Sequence, residues 1–121
     1  MIGPAGPIAG KRVLVVEDEF FIAEELRRGL EERGVIVLGP VPSVGQAQQL
    51  LASAAPIDGA VLDINLQEET IYGLADELIA RGVPFVFVTG YDRGSIPTSY
   101  AEVRLCEKQV ETEQVIRALS S

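Results

Sequence analysis

Four short strand-like runs in this sequence lead into residues able to do chemistry. "VLVV" (13–16) runs into Glu17-Asp18-Glu19, and "AVL" (60–62) runs into Asp63. "FVFV" (85–88) runs into Thr89-Gly90, and "VRL" (103–105) is followed shortly by Lys108. Carboxylates gathered at neighbouring tips repel one another, by ~1 kcal/mol per pair at ~4 Å in bulk water and ~4 kcal/mol at an effective dielectric of about 20. A hard divalent cation removes that cost, and an all-oxygen site that keeps several waters suits Mg²⁺. Beside a metal and a lysine, Asp63 becomes a nucleophile toward phosphorus and forms an acyl phosphate. The phosphoryl oxygens then need neutralising, by the cation on one, the Lys108 ammonium on another and the Thr89 hydroxyl on a third. Gly90, lacking a side chain, leaves room for that group to approach backbone N–H groups.

These side chains converge only if the runs are strands that end on one edge of a sheet. Residues 12–16 are a solid apolar run of the kind found in strands covered on both faces. From Phe20 to Arg33 the set Ile22, Ala23, Leu26 and Leu30 keeps helical spacing, with Gly34 at a C-cap position. "VIVL" (35–38) predicts a second strand, and Ser43 caps a helix bearing Val44, Ala47, Leu50, Leu51 and Ala54. The third strand, 60–62, is followed by a helix through Ile71, Leu74, Ala75, Leu78 and Ile79, closed by Gly82. Pro84 delivers the fourth strand, 85–88, and "VRL" alternates like an edge strand. Gly94 and Pro97 interrupt residues 91–101, so a helix there is short or mobile. A last helix spans about 109–119, with Val110, Val115, Ile116 and Leu119 on it, more apolar positions than one packing stripe needs. Five strands alternating with helices predict an α/β fold, a doubly wound parallel sheet with helices on both faces. Ligands of such sheets sit outside the carboxyl ends of the strands, where Glu17, Asp18, Asp63, Thr89 and Lys108 all fall.

This pattern resembles the receiver domain of two-component response regulators: an acidic pair after the first strand, Asp after the third, Thr after the fourth, Lys after the fifth. The resemblance covers about residues 11–120 and implies the flavodoxin-like strand order 2-1-3-4-5. It implies that Asp63 is the phosphoacceptor, that Asp18 binds Mg²⁺ directly and Glu17 through water, and that the carbonyl of Asn65 completes the protein ligands. Thr89 is then the switch hydroxyl, and Lys108 bridges phosphate and carboxylate. "PFVFVTGY" (84–91) and "DINL" (63–66) are similar to a single-domain alphaproteobacterial subgroup whose fourth strand reads PFxFATGY. Besides the stunted fourth helix at 91–101, three features depart from the family pattern. Gln109 stands where Pro usually follows the Lys, Cys106 stands where an aromatic switch residue is usual, and the loop from Asp63 to Gly73 is long. Tyr91 and Tyr100 are the aromatics left to act as a switch.

The implied function is a response regulator that accepts a phosphoryl group on Asp63 from a sensor histidine kinase, with Mg²⁺ as cofactor. It would signal by contact with a downstream protein or relay the phosphate to a histidine phosphotransferase. It is a switch that phosphorylates and dephosphorylates itself rather than an enzyme with a small-molecule substrate. The alternative is a receiver-like interaction module without phosphotransfer. A Mg²⁺-dependent nuclease or topoisomerase-like fold also uses Glu after one strand, but it needs a DxD that "DIN" (63–65) breaks.

Composition narrows the field. The 121 residues carry a net charge of −8 with scattered Lys and Arg, which disfavours nucleic acid as a partner. With no His and a single Cys, His-based catalysis, Cys/His zinc sites and intrachain disulfides are all excluded. No apolar run reaches the roughly 18–20 residues of a membrane span, and a cytoplasmic location is expected. Residues 1–10, rich in Gly and Pro, read as a flexible tail before a single domain at 11–121. Taken singly, each site residue has an ordinary reading. Glu17-Asp18-Glu19 is solvated charge entering a helix, Asp63 a strand-end cap, Thr89 a strand terminus and Lys108 a surface lysine. Only the set, in register on one sheet edge, points to chemistry.

Overall fold

The computed structural model describes residues 8–53, 56–64, 66, 71–89, 97, 100, 103–107 and 112–120, with backbone alone at 89, 104, 107, 112, 113 and 120. Within them the chain runs β1 (Arg12–Val16), α1 (Phe20–Glu32), β2 (Ile36–Val41), α2 (Val44–Ala52), β3 (Gly59–Asp63), α3 (Tyr72–Ala80), β4 (Phe85–Thr89), β5 (Arg104–Glu107) and α4 (Thr112–Ser120). All strand pairs are parallel, in the order β2-β1-β3-β4-β5. This is the doubly wound order expected for such a chain.

Period-two alternation divides the core into two layers. Leu14 and Val16 of β1 point to the α2/α3 side, where they join Ala47, Leu51, Leu74, Leu78 and Phe87. Val13 and Val15 point to the other side and meet Leu26 and Leu30 of α1 and Val115 and Ile116 of α4. Each fully buried Val, Leu or Phe contributes about 1.5–3 kcal/mol of burial free energy, so the central strands are anchored from both faces. Helix starts and stops follow local chemistry. Ser43 Oγ accepts from the Gln46 N–H (3.2 Å) at the start of α2. Gly34, with φ +85°, ends α1 in the left-handed region that glycine tolerates.

Several boundaries differ from the sequence expectation. At the N-terminal end of the described residues, Ile8 and Gly10 contact the rest of the fold. Ile8 is only 2% exposed and packs in the α1 layer, and the Gly10 N–H donates to the Gly34 carbonyl (2.8 Å). An isolated Gly/Pro-rich composition could not reveal that one isoleucine finds a pocket. β2 extends to Val41 instead of stopping at Leu38, because the strand bulges at the cis Gly39-Pro40 peptide and then rejoins β1. β3 includes both Gly59 and Asp63. Val115, Ile116 and Leu119 all pack into the core, so they are not a spare apolar surface on α4. Most of the 91–101 segment, including Tyr91, lies outside the described residues, as does Val110.

Candidate functional site: an acidic cleft at the carboxyl edge of the sheet

Register brings the acids together. Val16 of β1 pairs with Leu62 of β3, so Glu17 and Asp63 leave adjacent strands at one level. Asp63 is held in the ladder on its other side as well, paired with Val88, and the Ile64 N–H donates to the Val88 carbonyl (3.0 Å). Glu17 is fixed by β2, whose Val41 carbonyl accepts from the Glu17 N–H at 3.0 Å. The β1–β2 bulge makes this contact possible. Leu14 pairs with Leu38 but Val16 pairs with Val41, and the extra residue is absorbed at Gly39, φ +96°. A Cβ there would lie 2.7 Å from the Val41 nitrogen and 3.0 Å from the Val15 carbonyl oxygen, so the position requires glycine.

The carboxylates of Glu17, Asp18 and Asp63 offer oxygen atoms that all lie within 4.8 Å of one another. Glu17 is 3% exposed and Asp63 is fully buried, while Asp18 is half-buried. At such a separation each pair of unit charges repels by about 3–4 kcal/mol at an effective dielectric of about 20. Part of this field is met by backbone dipoles. The Glu19 N–H donates to Glu17 Oε2 (3.1 Å), and α1 begins at Phe20, aiming its positive N-terminal end toward the acids. Hard oxygen donors, convergent and largely shielded from solvent, fit a divalent cation. Glu19 is exposed and stands outside the cluster, at the N-cap of α1.

A cleft of about 250 Å³ opens beside the cluster, lined by Glu17, Asp18, Phe20, Ala23, Glu24, Pro40 and Pro42. Glu24 adds a carboxylate to the rim. Its hydrogen bond to Arg27 (2.6 Å) holds it below the usual carboxylate range, and Arg27 also bridges to Glu31 (2.8 Å). Phe20 and Phe21 stand edge to face at 5.4 Å and are 70% and 83% exposed. Sequence reasoning did not single out Phe20, Phe21, Glu24 or the Gly39-Pro40 turn. The two phenylalanines do carry a signal, since both fall off the buried stripe of Ile22, Ala23, Leu26 and Leu30.

Of the residues predicted for the site, Glu17, Asp18 and Asp63 are brought together. Thr89 ends β4, one residue past the Val88–Asp63 pair, and its backbone pairs with Glu107. Lys108 follows Glu107 in the chain but lies outside the described residues, as do Asn65 and Gly90. Cys106 is buried on β5. Tyr100, the other aromatic considered for a switch, is buried against Phe87 and Tyr72. None of the helices in the described residues is long and apolar enough to cross a membrane.

Comparison with known proteins places this architecture. No family model and no curated protein matches the sequence. Among solved structures, the beryllofluoride-activated conformation of SdrG from Pseudomonas melonis Fr1 is 31% identical over 93% of this chain and 98% of that one, with a TM-score of 0.79. A response regulator receiver protein from Sinorhizobium medicae WSM419 is 25% identical over 93% of this chain and 92% of its own, with a TM-score of 0.72. A response regulator protein from Burkholderia pseudomallei, solved with a phosphorylated aspartic acid, a calcium ion and citrate, shares the fold. It is 24% identical over 90% of this chain and 66% of its own, with a TM-score of 0.76. The chain belongs to the receiver domains of response regulators.

Proposed function

We propose that Asp63 accepts a phosphoryl group from a histidine kinase in a Mg²⁺-dependent reaction, and that the phosphorylated chain signals by protein contact or passes the phosphate on. The observation that carries this reading is the convergence of three carboxylates within 4.8 Å, with Asp63 buried at the end of a central strand. The phosphorylated aspartic acid and calcium ion of the Burkholderia pseudomallei protein, and the beryllofluoride-activated form of SdrG, support it.

An Asp63 carboxylate oxygen attacks phosphorus, and the new O–P bond forms as the P–N bond to the kinase imidazole breaks. The imidazole nitrogen keeps the electron pair and takes a proton. Glu17, Asp18 and Asp63, with the Asn65 carbonyl, would hold the cation. When bound, Mg²⁺ supplies neutralising charge to the carboxylates and to one phosphoryl oxygen. Thr89 and Lys108 take the other two oxygens, and Gly90 gives the group room beside the backbone. Phe20, exposed on the rim of the same cleft, and Phe21, exposed and stacked edge to face on it, give the kinase an apolar foothold near the reacting carboxylate. "PFVFVTGY" (84–91) supports grouping the chain with receivers of the PFxFATGY signature.

Incubation with acetyl phosphate and Mg²⁺, followed by intact-mass spectrometry, tests the reading. One phosphoryl adduct is expected, abolished by EDTA and by Asp63→Asn. A wild-type chain that takes no adduct leaves only an interaction module without phosphotransfer, and an adduct that persists in Asp63→Asn removes Asp63 as the phosphoacceptor.

A further inference from the structure

Three segments that leave the acidic site meet again on the α2/α3 side of the sheet. The chain departing from Asp63 returns at Tyr72, the first residue of α3. β4, which ends at Thr89, carries Phe87 two residues earlier. The connection from β4 to β5 returns at Tyr100. The three rings form a closed triangle, with centroids 5.0 Å apart for Tyr72–Tyr100, 5.9 Å for Tyr72–Phe87 and 5.8 Å for Phe87–Tyr100. Tyr72 and Tyr100 are stacked, and Phe87 meets both edge to face.

Tyr100 is the member of the triangle with a polar anchor. Its hydroxyl donates to Asp76 Oδ1 at 2.7 Å and lies 3.3 Å from the Tyr72 carbonyl oxygen. Its backbone is bonded on both sides: the Tyr100 N–H donates to the Pro97 carbonyl and the Val103 N–H to the Tyr100 carbonyl, both at 3.0 Å. The ring is 7% exposed, whereas Asp76 sits on the solvent side of α3. A close-packed ring cannot slide by fractions of an ångström without losing its contacts, so its alternatives are discrete. One hydrogen bond to a surface carboxylate thus ties the β4–β5 connection to α3 at the point where the Asp63 loop also arrives.

We propose that the Tyr100–Asp76 tie couples the acidic site to α3: occupation of Asp63 by a phosphoryl group repositions Tyr100 within the ring triangle, and the strength of the tie sets how readily the group is accommodated. Tyr100 is in this sense a positioning residue, acting through Phe87 and Tyr72. The proposal rests on Asp63 as the phosphoacceptor.

NMR of the full chain with ¹³C-labelled tyrosine rings, titrated with beryllofluoride and Mg²⁺, tests it on the three tyrosines present. The Tyr72 and Tyr100 ring signals are expected to move in step with saturation. Tyr100→Phe, which keeps the ring, and Asp76→Ala, which removes the acceptor, are each expected to change beryllofluoride affinity by at least about fivefold in the same direction. The double variant is expected to go little further than either single one, because each single variant already removes the Tyr100–Asp76 bond. Ring signals that stay still through saturation overturn the proposal, and so do single variants that bind as the wild type does. The ring titration needs no variant, so a poorly folded Asp76→Ala does not remove the test. If beryllofluoride moves no signal anywhere, the phosphoacceptor reading falls as well. Saturation with stationary rings removes the coupling alone.

Discussion

Glu17 and Asp63 leave neighbouring parallel strands one residue beyond the paired Val16 and Leu62. Two acids far apart in sequence are thereby held side by side, each nearly sealed from solvent, by the hydrogen-bond register of the strands that precede them. The sheet is close-packed on both faces, so it cannot yield to their repulsion. The strain is carried in the electrostatics of the folded state.

Removing one charge therefore stabilises the metal-free protein. Asp18→Asn, the half-buried member, is expected to gain about 1 kcal/mol and raise Tm by roughly 3–5 °C in EDTA. Mg²⁺ at about 100 times its Kd is expected to stabilise the wild type by about 2.7 kcal/mol, and the variant by far less. Differential scanning fluorimetry with and without Mg²⁺ reads both. A variant less stable than the wild type in EDTA would contradict the charge argument.

Gly39→Ala is expected to damage the site from a distance. Its Cβ would meet backbone on two sides, at 2.7 and 3.0 Å, in a left-handed conformation. The cost is expected to exceed about 1–2 kcal/mol in urea melts. Relief must move the end of β2, whose Val41 carbonyl holds the Glu17 N–H. The Mg²⁺-induced rise in Tm should shrink as well. An unchanged metal response would show that β2 does not position Glu17.

Phe21→Ala separates docking from chemistry. At 83% exposure the ring contributes little to folding, and stability should change by no more than about 0.5 kcal/mol. Labelling by acetyl phosphate should proceed at the wild-type rate, while transfer from phosphorylated histidine kinases slows. Equal slowing of both reactions would assign Phe21 to the site itself.

Tyr100 gives the protein an alkaline limit. Burial and the neighbouring Asp76 carboxylate push its hydroxyl up to about 12 from the ordinary 10, with Tyr72 adding to the effect. The unfolded chain then releases this proton first, so the stabilisation is complete below pH 10 and is lost as pH rises through about 12. Discounted for the solvent around Asp76, the loss is on the order of 1–2 kcal/mol. Urea melts across that range should show a shallower decline for Tyr100→Phe than for the wild type. Parallel declines would show that other groups set the limit.

The sequence alone determined the strand and helix order, the two-sided burial of the sheet and the edge on which the acids gather. Each of these follows from local periodicity: period two against 3.6, solid apolar runs, and Gly or Ser at helix ends. Glu17, Asp18 and Asp63 were legible as a set because chain order and parallel pairing bring strand tips together whatever the details. Only the tertiary structure decided the details of position. The bulge at Gly39 that carries β2 on to Val41, the burial of Ile8, and the Tyr100–Asp76 bond each join residues far apart in sequence. No window of local sequence encodes the space left between packed elements.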